Sequence, residues 1–312
     1  MQALRITVIG TINKDLILPF RSAPIESFGG IFYDVAILAQ LLGENGEIVP
    51  VSYIGEDVLS TVQAILKKLP GVSQAGLIPL PEKNHKVILE YTSPQRRQEK
   101  SLFRFPPLSW QQIAPFLEAD MVIVNLISGW DIEKAAYLKL SQAARERLYL
   151  DVHYLLMGVD EMGRRFLRRP EEGVEEWLAG SRFVQMNEEE YRLLAAESRN
   201  EVDFFQRYCK DDQVLLITRA VKGATIVYQR DGMVGHKNFP AWRVSRLVDS
   251  TGCGDAFGAG FVVKYLETGK VPAAVEFANL VAAANLSLKG TNEMHRLLET
   301  MAQIRAENER EA

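Results

Sequence analysis

Residues 249–261 have the sequence Asp249-Ser-Thr-Gly-Cys-Gly-Asp-Ala-Phe-Gly-Ala-Gly-Phe261, a glycine-rich turn that runs directly into an apolar helical pattern. The small residues Gly252, Cys253 and Gly254 let the backbone approach a ligand closely. Their N–H groups would converge at a helix N-terminus, which favours an anion. A carboxylate beside an anion site would repel the anion, so its presence there suggests a function. A general base for a hydroxyl that attacks a phosphoryl group is such a function, and we predict it for Asp255. The alternative is an ordinary helix start with a polar N-cap and an acid favoured by the helix dipole.

The composition excludes several classes of protein. The chain has 312 residues and a formal net charge of −4, which argues against nucleic acid as its main partner. Its two cysteines, Cys209 and Cys253, are too few for a disulfide framework, so we expect a reducing compartment. Leu4–Gly10 is typical of a buried strand and not of a signal peptide, and the apolar runs are too short for a membrane span. We therefore expect a cytoplasmic protein with no membrane partner.

Short apolar runs alternate with longer amphipathic ones along the chain. The predicted strands are Ile6–Ile9, Ile48–Tyr53, Met121–Asn125, Leu148–Val152, Phe183–Met186, Val214–Thr218 and Thr225–Tyr228. The predicted helices between them include Val35–Leu42, Val58–Lys68, Ile132–Arg147 and Glu188–Glu197. This alternation predicts an α/β domain over residues 1–312 with a mostly parallel sheet and helices on both faces. Ligands of such sheets bind at the carboxyl ends of the strands.

One segment breaks the alternation. Lys86–Thr92 and Ser101–Phe105 are extended runs joined by the polar stretch Ser93–Lys100, which indicates a hairpin. A hairpin within such a series is a candidate lid that excludes water from a phosphoryl-transfer site, and an ordinary edge hairpin is the alternative. We predict lid segments at about 15–28 and 86–106. Exposed lid strands would also favour a homodimer through the lid.

Two further motifs follow predicted strands. Gly10-Thr-Ile-Asn-Lys-Asp15 lacks the later glycines of a dinucleotide fingerprint, which argues against a Rossmann dehydrogenase. Asp15 could accept hydrogen bonds from paired hydroxyls, or be a simple turn aspartate. Asn187-Glu-Glu-Glu190 starts a predicted helix and fits an Asn cap followed by dipole-favoured acids. No Walker motif occurs in the sequence, which argues against a P-loop ATPase.

Taken together, the motifs resemble those of the PfkB (ribokinase-like) carbohydrate kinases. Residues 249–261 resemble the family signature D-T-x-G-A-G-D-x-F-x-x-G-F, and residues 10–15 resemble its G-x-x-x-x-D element. Gly29–Gly43 is similar to the N-terminal signature, but Asp34 stands where the family usually has asparagine. Residues 187–190 match the family motif N-x-x-E. Residues 218–224 resemble its motif T-x-G-x-x-G, with one glycine replaced at Arg219 or an adjacent position. The resemblance implies a ribokinase-like three-layer α/β fold with a small β lid.

The resemblance implies an ATP-dependent kinase that transfers the γ-phosphoryl group to a hydroxyl of a small sugar. Asp255 would be the base, and the amides of residues 252–254 would stabilise the transferring group. The implied acceptor residues are Asp15, Gly29, Gly30 and Asp34. Two carboxylates there would disfavour an anionic acceptor, which Arg104 on the lid could offset. The resemblance implies that Asn187 and Glu190 hold Mg²⁺ through water. It also implies that ATP is bound by these two residues together with Thr218, Lys222 and Gly223. A monovalent-cation loop within Phe277–Gly290 is left open.

Two alternatives remain at this point. A nucleoside kinase would be favoured if Phe103, Phe105 or Trp110 near the lid stacked on a base, although these aromatic residues could equally form the lid core. A non-catalytic sugar- or nucleotide-binding regulator is the other alternative. The intact Asp255 and its glycine turn argue against a regulator, because a sensor has no need of a base.

Overall fold

The computed structural model describes residues 3–21, 23–93, 96–170 and 173–311. Its strands are β1 (Leu4–Ile9), β2 (Ile12–Leu18), β3 (Ile25–Gly30), β4 (Gly46–Gly55), β5 (Leu77–Leu80), β6 (Lys86–Ser93), β7 (Arg96–Leu102), β8 (Met121–Asn125), β9 (Leu148–Asp151), β10 (Met157–Val159), β11 (Arg165–Leu167), β12 (Phe183–Asn187), β13 (Val214–Thr218), β14 (Ala224–Arg230) and β15 (Met233–Phe239). Its α-helices are α1 (Phe32–Leu42), α2 (Leu59–Leu66), α3 (Trp110–Ile113), α4 (Lys134–Ala144), α5 (Val174–Ala179), α6 (Glu188–Leu194), α7 (Glu201–Tyr208), α8 (Cys253–Thr268), α9 (Val271–Leu286) and α10 (Leu297–Glu311).

A nine-stranded sheet forms the centre of the fold, in the order β15-β14-β13-β12-β9-β8-β1-β4-β5. The strands from β13 to β5 pair in parallel, and β14 and β15 complete one edge in antiparallel pairing. Each predicted strand overlaps an observed one, and all of them except Thr225–Tyr228 lie in the parallel part of the sheet, where a strand covered on both faces is a continuous apolar run. All five residues of β8 are buried. The predicted mostly parallel sheet is confirmed.

Helices cover both faces of this sheet. Along β8, Met121 and Ile123 pack in the core that includes α1, α8, α9 and α10. Val122 and Val124 pack in the opposite core, which includes α4, α5, α6 and α7. Successive side chains of a strand point to opposite faces, so one apolar run supplies both cores. The predicted three-layer arrangement is therefore confirmed.

A second sheet of four strands, in the order β3-β2-β6-β7, forms the lid. β6 and β7 pair antiparallel, which confirms the predicted hairpin, and residues 94–95 between them lie outside the described residues. The prediction of Ser93–Lys100 as a loop and Ser101–Phe105 as the second strand was wrong, since β7 spans Arg96–Leu102. A strand of an antiparallel sheet can have one face in water and can therefore contain polar residues. The polarity of this stretch was thus not evidence for a loop.

A short hairpin of β10 and β11 adjoins the open edge of the lid. The amide of Ser101 donates to the carbonyl of Gly163 at 2.8 Å, and Lys100 forms an isolated bridge with Arg164. The sequence patterns did not indicate this element. The β10–β11 hairpin occupies part of the lid edge that a homodimer through the lid would use. The homodimer stays a prediction, and so does the organisation of the chain as a single domain.

The helices of the described ranges were also compared with the dimensions of a bilayer. No single helix in these ranges is long and apolar enough to cross a membrane, and the bent pair Val271–Leu286 and Gly290–Arg310 meets the length and composition only jointly.

Candidate active site

A cavity of about 230 Å³ lies where the inner face of the lid meets the carboxyl edge of the central sheet. Three of its lining residues are the last residues of neighbouring strands: Asp151 of β9, Asn187 of β12 and Thr218 of β13. The lid contributes Asn13, Asp15, Val87, Leu89 and Glu99, and the turn before α8 contributes residues 250–255. Parallel strands therefore bring together motifs that lie far apart in the sequence.

The glycine-rich turn forms the N-terminus of α8, a helix of 16 residues. Gly252 is its N-cap with φ of 77°, a left-handed conformation that favours glycine, and a Cβ at this position would overlap the ring of Tyr33. Burial raises the pKa of the Cys253 thiol to about 12, so this residue fills space as a neutral group. The amides of residues 252–254 and the helix dipole together suit an anion at this point.

Asp255 lines the cavity and is held from behind by an asparagine that the sequence analysis did not single out. The Asn125 amide nitrogen donates to Asp255 Oδ1 at 2.8 Å and to Asp34 Oδ2 at 2.9 Å. Burial raises the pKa of Asp255, while the Asn125 hydrogen bond and the charge of His153 lower it. Burial and the charge of Asp255 also raise the pKa of Asp34 well above its ordinary value. One amide thus joins two carboxyl groups.

The structure does not bring Asp34 to the cavity wall. Its side chain projects from α1, is 1% exposed and is absent from the described lining residues. Its partner is Asn125, which is also the partner of Asp255. The position where the family usually has asparagine thus places a second carboxyl group behind Asp255 and not at the cavity wall.

Asp15 and its neighbours form the opposite end of the cavity. Asp15 lies on β2 and is 5% exposed, and a Cβ on Gly29 of the adjacent strand would overlap its carboxylate. Gly30 lines the cavity with φ of 63°. Asn13 Oδ1 is buried and has no hydrogen-bond partner among the described residues. The asparagine was not predicted, although its place two residues before Asp15 on the same face of a strand was a usable signal.

Arg104 does not reach the cavity. It is exposed, and its guanidinium lies 4.1 Å from the ring centre of Trp130. Among the residues that the structure describes, the arginine that lines the cavity is Arg165 of β11, and neither Arg165 nor the nearby Glu99 was predicted from the sequence. The three aromatic residues considered for base stacking, Phe103, Phe105 and Trp110, are not among the described lining residues.

Asn187 and Glu190 form a capping box at the start of α6. Asn187 Oδ1 accepts from the amides of Glu189 and Glu190 at 2.9 Å, and Glu190 Oε2 accepts from the Asn187 amide at 2.7 Å. Both residues also line the cavity. The helix-cap interpretation and the site interpretation therefore describe the same two side chains, which the cap holds in fixed orientations.

His153 lies between the carboxyl groups at this end. Its Nδ1 is 2.9 Å from Glu190 Oε1. Burial opposes a charge on His153, but the hydrogen bond and charge of Glu190 raise its pKa to about 9. Burial and the charge of Glu190 raise the pKa of Asp151 to about 7.

Among the described residues, no three His, Cys, Asp or Glu side chains converge closely enough to hold a metal ion. Asp151, Glu190 and Asp255 nevertheless line one cavity. Separated carboxylates of this kind fit Mg²⁺, which keeps several of its waters and takes few direct protein ligands.

The turn after β13 is the part of the site that departs furthest from the family pattern. Thr218 lines the cavity, whereas Lys222 is largely exposed, 3.5 Å from Glu188, and borders a second cavity of about 280 Å³. Gly223, with φ of 91°, lines neither cavity. Ala220 stands where the motif T-x-G-x-x-G has its first glycine. Its φ of 49° lies in the left-handed region that favours glycine. Arg219 is instead paired with Glu188 and Glu201 at 2.8 and 2.7 Å.

Comparisons with known proteins agree with this architecture. A family model described as pfkB family carbohydrate kinase matches residues 35–296. A fructokinase from Escherichia coli is 36% identical over 88 residues, which span 28% of this chain and 27% of the fructokinase. A pyrophosphate-dependent kinase of the ribokinase family has a similar structure (TM-score 0.76, 19% identity, 95% of this chain and 99% of that one). So do ribokinase from Thermotoga maritima (0.71, 20%, 96% and 99%) and a nucleoside kinase from Methanocaldococcus jannaschii (0.70, 19%, 97% and 99%). The chain belongs to the pfkB family of carbohydrate kinases.

Proposed function

We propose that this protein transfers the γ-phosphoryl group of ATP to a hydroxyl of a small sugar, with Asp255 as the general base. One observation carries the proposal. Asp255 stands at the N-terminus of α8, beside the amides of residues 252–254, in the same cavity as Asn13 and Asp15. A proton acceptor, an anion site and hydroxyl-binding groups in one enclosed space are the parts that phosphoryl transfer requires.

In this mechanism Asp255 takes the proton of the acceptor hydroxyl as its oxygen bonds to the γ-phosphorus. The bond from that phosphorus to the β,γ-bridging oxygen breaks, and ADP leaves with the electron pair. The amides of residues 252–254 donate to the oxygens of the transferring group, where the α8 dipole also favours negative charge. Asn125 holds Oδ1 of Asp255, which fixes the orientation of the carboxylate. The burial of Asp255 makes it a stronger base than an exposed carboxylate.

The acceptor is proposed to lie against the lid. The Asp15 carboxylate and the unpartnered Asn13 Oδ1 both accept hydrogen bonds from sugar hydroxyls, and Gly29 and Gly30 leave room for the ring. Asp34 acts through Asn125, so its contribution is to position the base. The aromatic residues that would have favoured a nucleoside lie outside the cavity lining, which supports the simpler sugar.

The donor is proposed to lie against β12 and β13. Asn187 and Glu190 would hold Mg²⁺ through its waters, and Thr218 would contact the phosphates. When bound, the metal offsets negative charge on the donor phosphates. Lys222 and Gly223 border the turn that the nucleotide would follow, and a monovalent cation near 277–290 remains an implication of the family.

Pyrophosphate is the second candidate donor. Arg219 is tied to two glutamates beside the turn, and Ala220 replaces the glycine that lets a backbone approach a nucleotide closely. A donor without a nucleoside would not need that approach. A release assay with ATP and with pyrophosphate, each against the same sugars, distinguishes the two candidates.

Replacement of the base tests the reaction itself. Asp255→Asn should lower kcat by about 10²- to 10⁴-fold, with donor affinity nearly unchanged. The exposed Asp211→Asn is the matched control and should behave as the wild type. Near-normal turnover of Asp255→Asn would refute the mechanism. Sugar binding without turnover of any sugar or nucleoside would instead favour a regulator.

A further inference from the structure

We propose that Gln185 is a positioning residue for phosphoryl transfer, which holds the glycine-rich turn at the start of α8 in the orientation that receives the transferring group. The inference rests on the proposed function, because that function gives the turn its role. Gln185 lies within β12, two residues before Asn187, and is 2% exposed. It is not part of any of the sequence motifs.

Gln185 is a buried polar residue within an apolar stretch of β12. Val184 and Met186 are completely buried and pack in the core that includes α4 to α7. Gln185 points to the opposite face of the sheet, as does Phe183, which packs in the core that includes α8. A buried amide costs free energy unless its groups are hydrogen-bonded, and it stabilises a fold only slightly when they are. What such a residue contributes is the specific arrangement that its hydrogen bonds impose.

The Gln185 side chain joins β12 to β9 and to α8. Its Nε2 donates to Asp151 Oδ2 at the end of β9 and, at 3.1 Å, to the carbonyl of Gly254 in the first turn of α8. Its Oε1 accepts from the hydroxyl of Tyr149, which also lies on β9. Both hydrogens of the amide nitrogen and its oxygen therefore have partners, so the buried amide is satisfied.

Tyr149 determines which way this amide points. The Gly254 carbonyl can only accept, so the nitrogen of Gln185 must face it and the oxygen must face Tyr149. Burial and the charge of Asp151 raise the pKa of Tyr149 well above its ordinary value, so the hydroxyl keeps its proton and donates. Tyr149 thus acts on the turn through Gln185.

Helix α8 faces these two side chains with glycines. A Cβ on Gly254 would lie 3.5 Å from Gln185 Nε2. A Cβ on Gly258, one helical turn later, would lie 3.4 Å from Gln185 Oε1 and 3.3 Å from the Tyr149 ring. The backbone of α8 therefore lies directly against the polar pair. Hydrogen bonds are directional and apolar contacts are not, so this pair fixes the orientation of the first turn as well as its distance from the sheet.

The carbonyl that Gln185 holds belongs to the peptide that joins Gly254 to Asp255. This peptide is planar, so a fixed carbonyl also fixes the Asp255 N–H and the position of the Asp255 Cα. The place of the proposed base relative to the transferring group then depends on Gln185. A misplacement of about 1 Å in such a group can lower the rate about 100-fold.

The test combines steady-state kinetics, with a sugar that the wild type phosphorylates, and hydrogen exchange in peptides that contain residues 250–258. Gln185→Met keeps the length of the side chain but removes both donated hydrogen bonds. We expect kcat to fall by about 10- to 100-fold. The KM of the sugar should stay at its wild-type value, because the lid residues around Asp15 are unchanged. The amides of the turn should exchange faster.

Gln213→Met is the matched control. Gln213 is 1% exposed and is absent from the described lining residues of the cavity. Its Nε2 donates to the carbonyls of Leu178 and Ser181, and its Oε1 accepts from the amide of Lys210. This variant should lose a similar free energy of unfolding and leave both kcat and the exchange of the turn unchanged.

Tyr149→Phe is a second variant that leaves Gln185 in place. Loss of the hydroxyl frees the amide to turn, so kcat should fall and the turn should exchange faster, as in Gln185→Met. The substitution should have no further effect on kcat in the Gln185→Met background, because Tyr149 acts through Gln185. A merely structural role would lower the stability of each variant and leave kcat of the folded proteins unchanged.

The outcomes separate this inference from the proposed function. An unchanged kcat or unchanged exchange of the turn in a folded Gln185→Met would overturn the inference, as would an equal fall of kcat in Gln213→Met. If Gln185→Met does not fold, wild-type kcat and exchange in Tyr149→Phe would overturn it. Faster exchange of the turn in both variants of a protein that phosphorylates no sugar would uphold the role of Gln185 at the turn and refute the proposed function.

Discussion

Asn125→Leu is the perturbation that most directly tests how Asp255, the proposed base, is kept ionised. The asparagine amide donates to Asp255 at 2.8 Å and to Asp34 at 2.9 Å, and leucine has a similar volume but no donor. The hydrogen bond stabilises the ionised form of Asp255 and so lowers its pKa against the effect of burial. Its loss should therefore keep Asp255 protonated up to a higher pH.

The magnitude follows from the bonds that are lost. A hydrogen bond to a charged group contributes about 1.5–3 kcal/mol, and 1.36 kcal/mol corresponds to about one pH unit. The acidic midpoint of the kcat/KM profile should accordingly rise by about one to two units, with activity recovered at higher pH. Two buried acceptors also lose their donor, so the free energy of unfolding should fall by about 2–4 kcal/mol.

The assay is a pH profile of kcat/KM, combined with urea denaturation at neutral pH. Asn84→Leu is the matched control, because Asn84 is equally buried and its side chain hydrogen-bonds backbone groups of Ile12, Gly55 and His85. It should lose similar stability and keep the midpoint of the wild type. The reasoning fails if the midpoint of Asn125→Leu does not move, or if both variants move it equally.

Three further predictions concern the backbone and the lid. Ala220→Gly should raise the free energy of unfolding by about 1 kcal/mol in urea denaturation, because φ of 49° strains an alanine; a loss of stability would contradict this. Gly252→Ala should lower both the melting temperature and kcat, because the new Cβ would meet the Tyr33 ring at φ of 77°, and wild-type values of both would count against it. The pKa of His85 is about 4 when folded and 6.5 when unfolded, so the unfolded chain binds more protons between these values and stability falls as pH falls through that window. The free energy of unfolding falls by about 3 kcal/mol at most over this window. His85→Gln should remove this fall when the free energy of unfolding is measured by urea denaturation at pH 7 and at pH 5. An equal fall in the wild type and the variant would show that His85 is not its source.

The sequence predicted the central sheet and the strand-end motifs well, for a physical reason. A parallel strand buried on both faces must be apolar throughout, so Met121–Asn125 and Val214–Thr218 could be recognised from composition alone. The last residue of a parallel strand lies at the ligand-binding edge of the sheet, whatever the position of that strand in the strand order. Thr218 and Asn187 therefore could be placed at the site without knowledge of the sheet order.

The lid end of the cavity could not be predicted in this way, because its ion pair joins segments that are distant in the sequence. Glu99 was assigned to a loop because it lies in a polar run, yet that run is strand β7. Arg165 lies in a three-residue strand, too short for any periodic pattern, and it reaches the cavity only because its hairpin docks on β7. Asp34, by contrast, stands in a recognisable motif, but helix α1 directs it to Asn125 behind the base. The motif therefore located the glycine-rich turn and Asp255, whereas the ion pair of Arg165 and Glu99 at the lid could be found only from the tertiary structure.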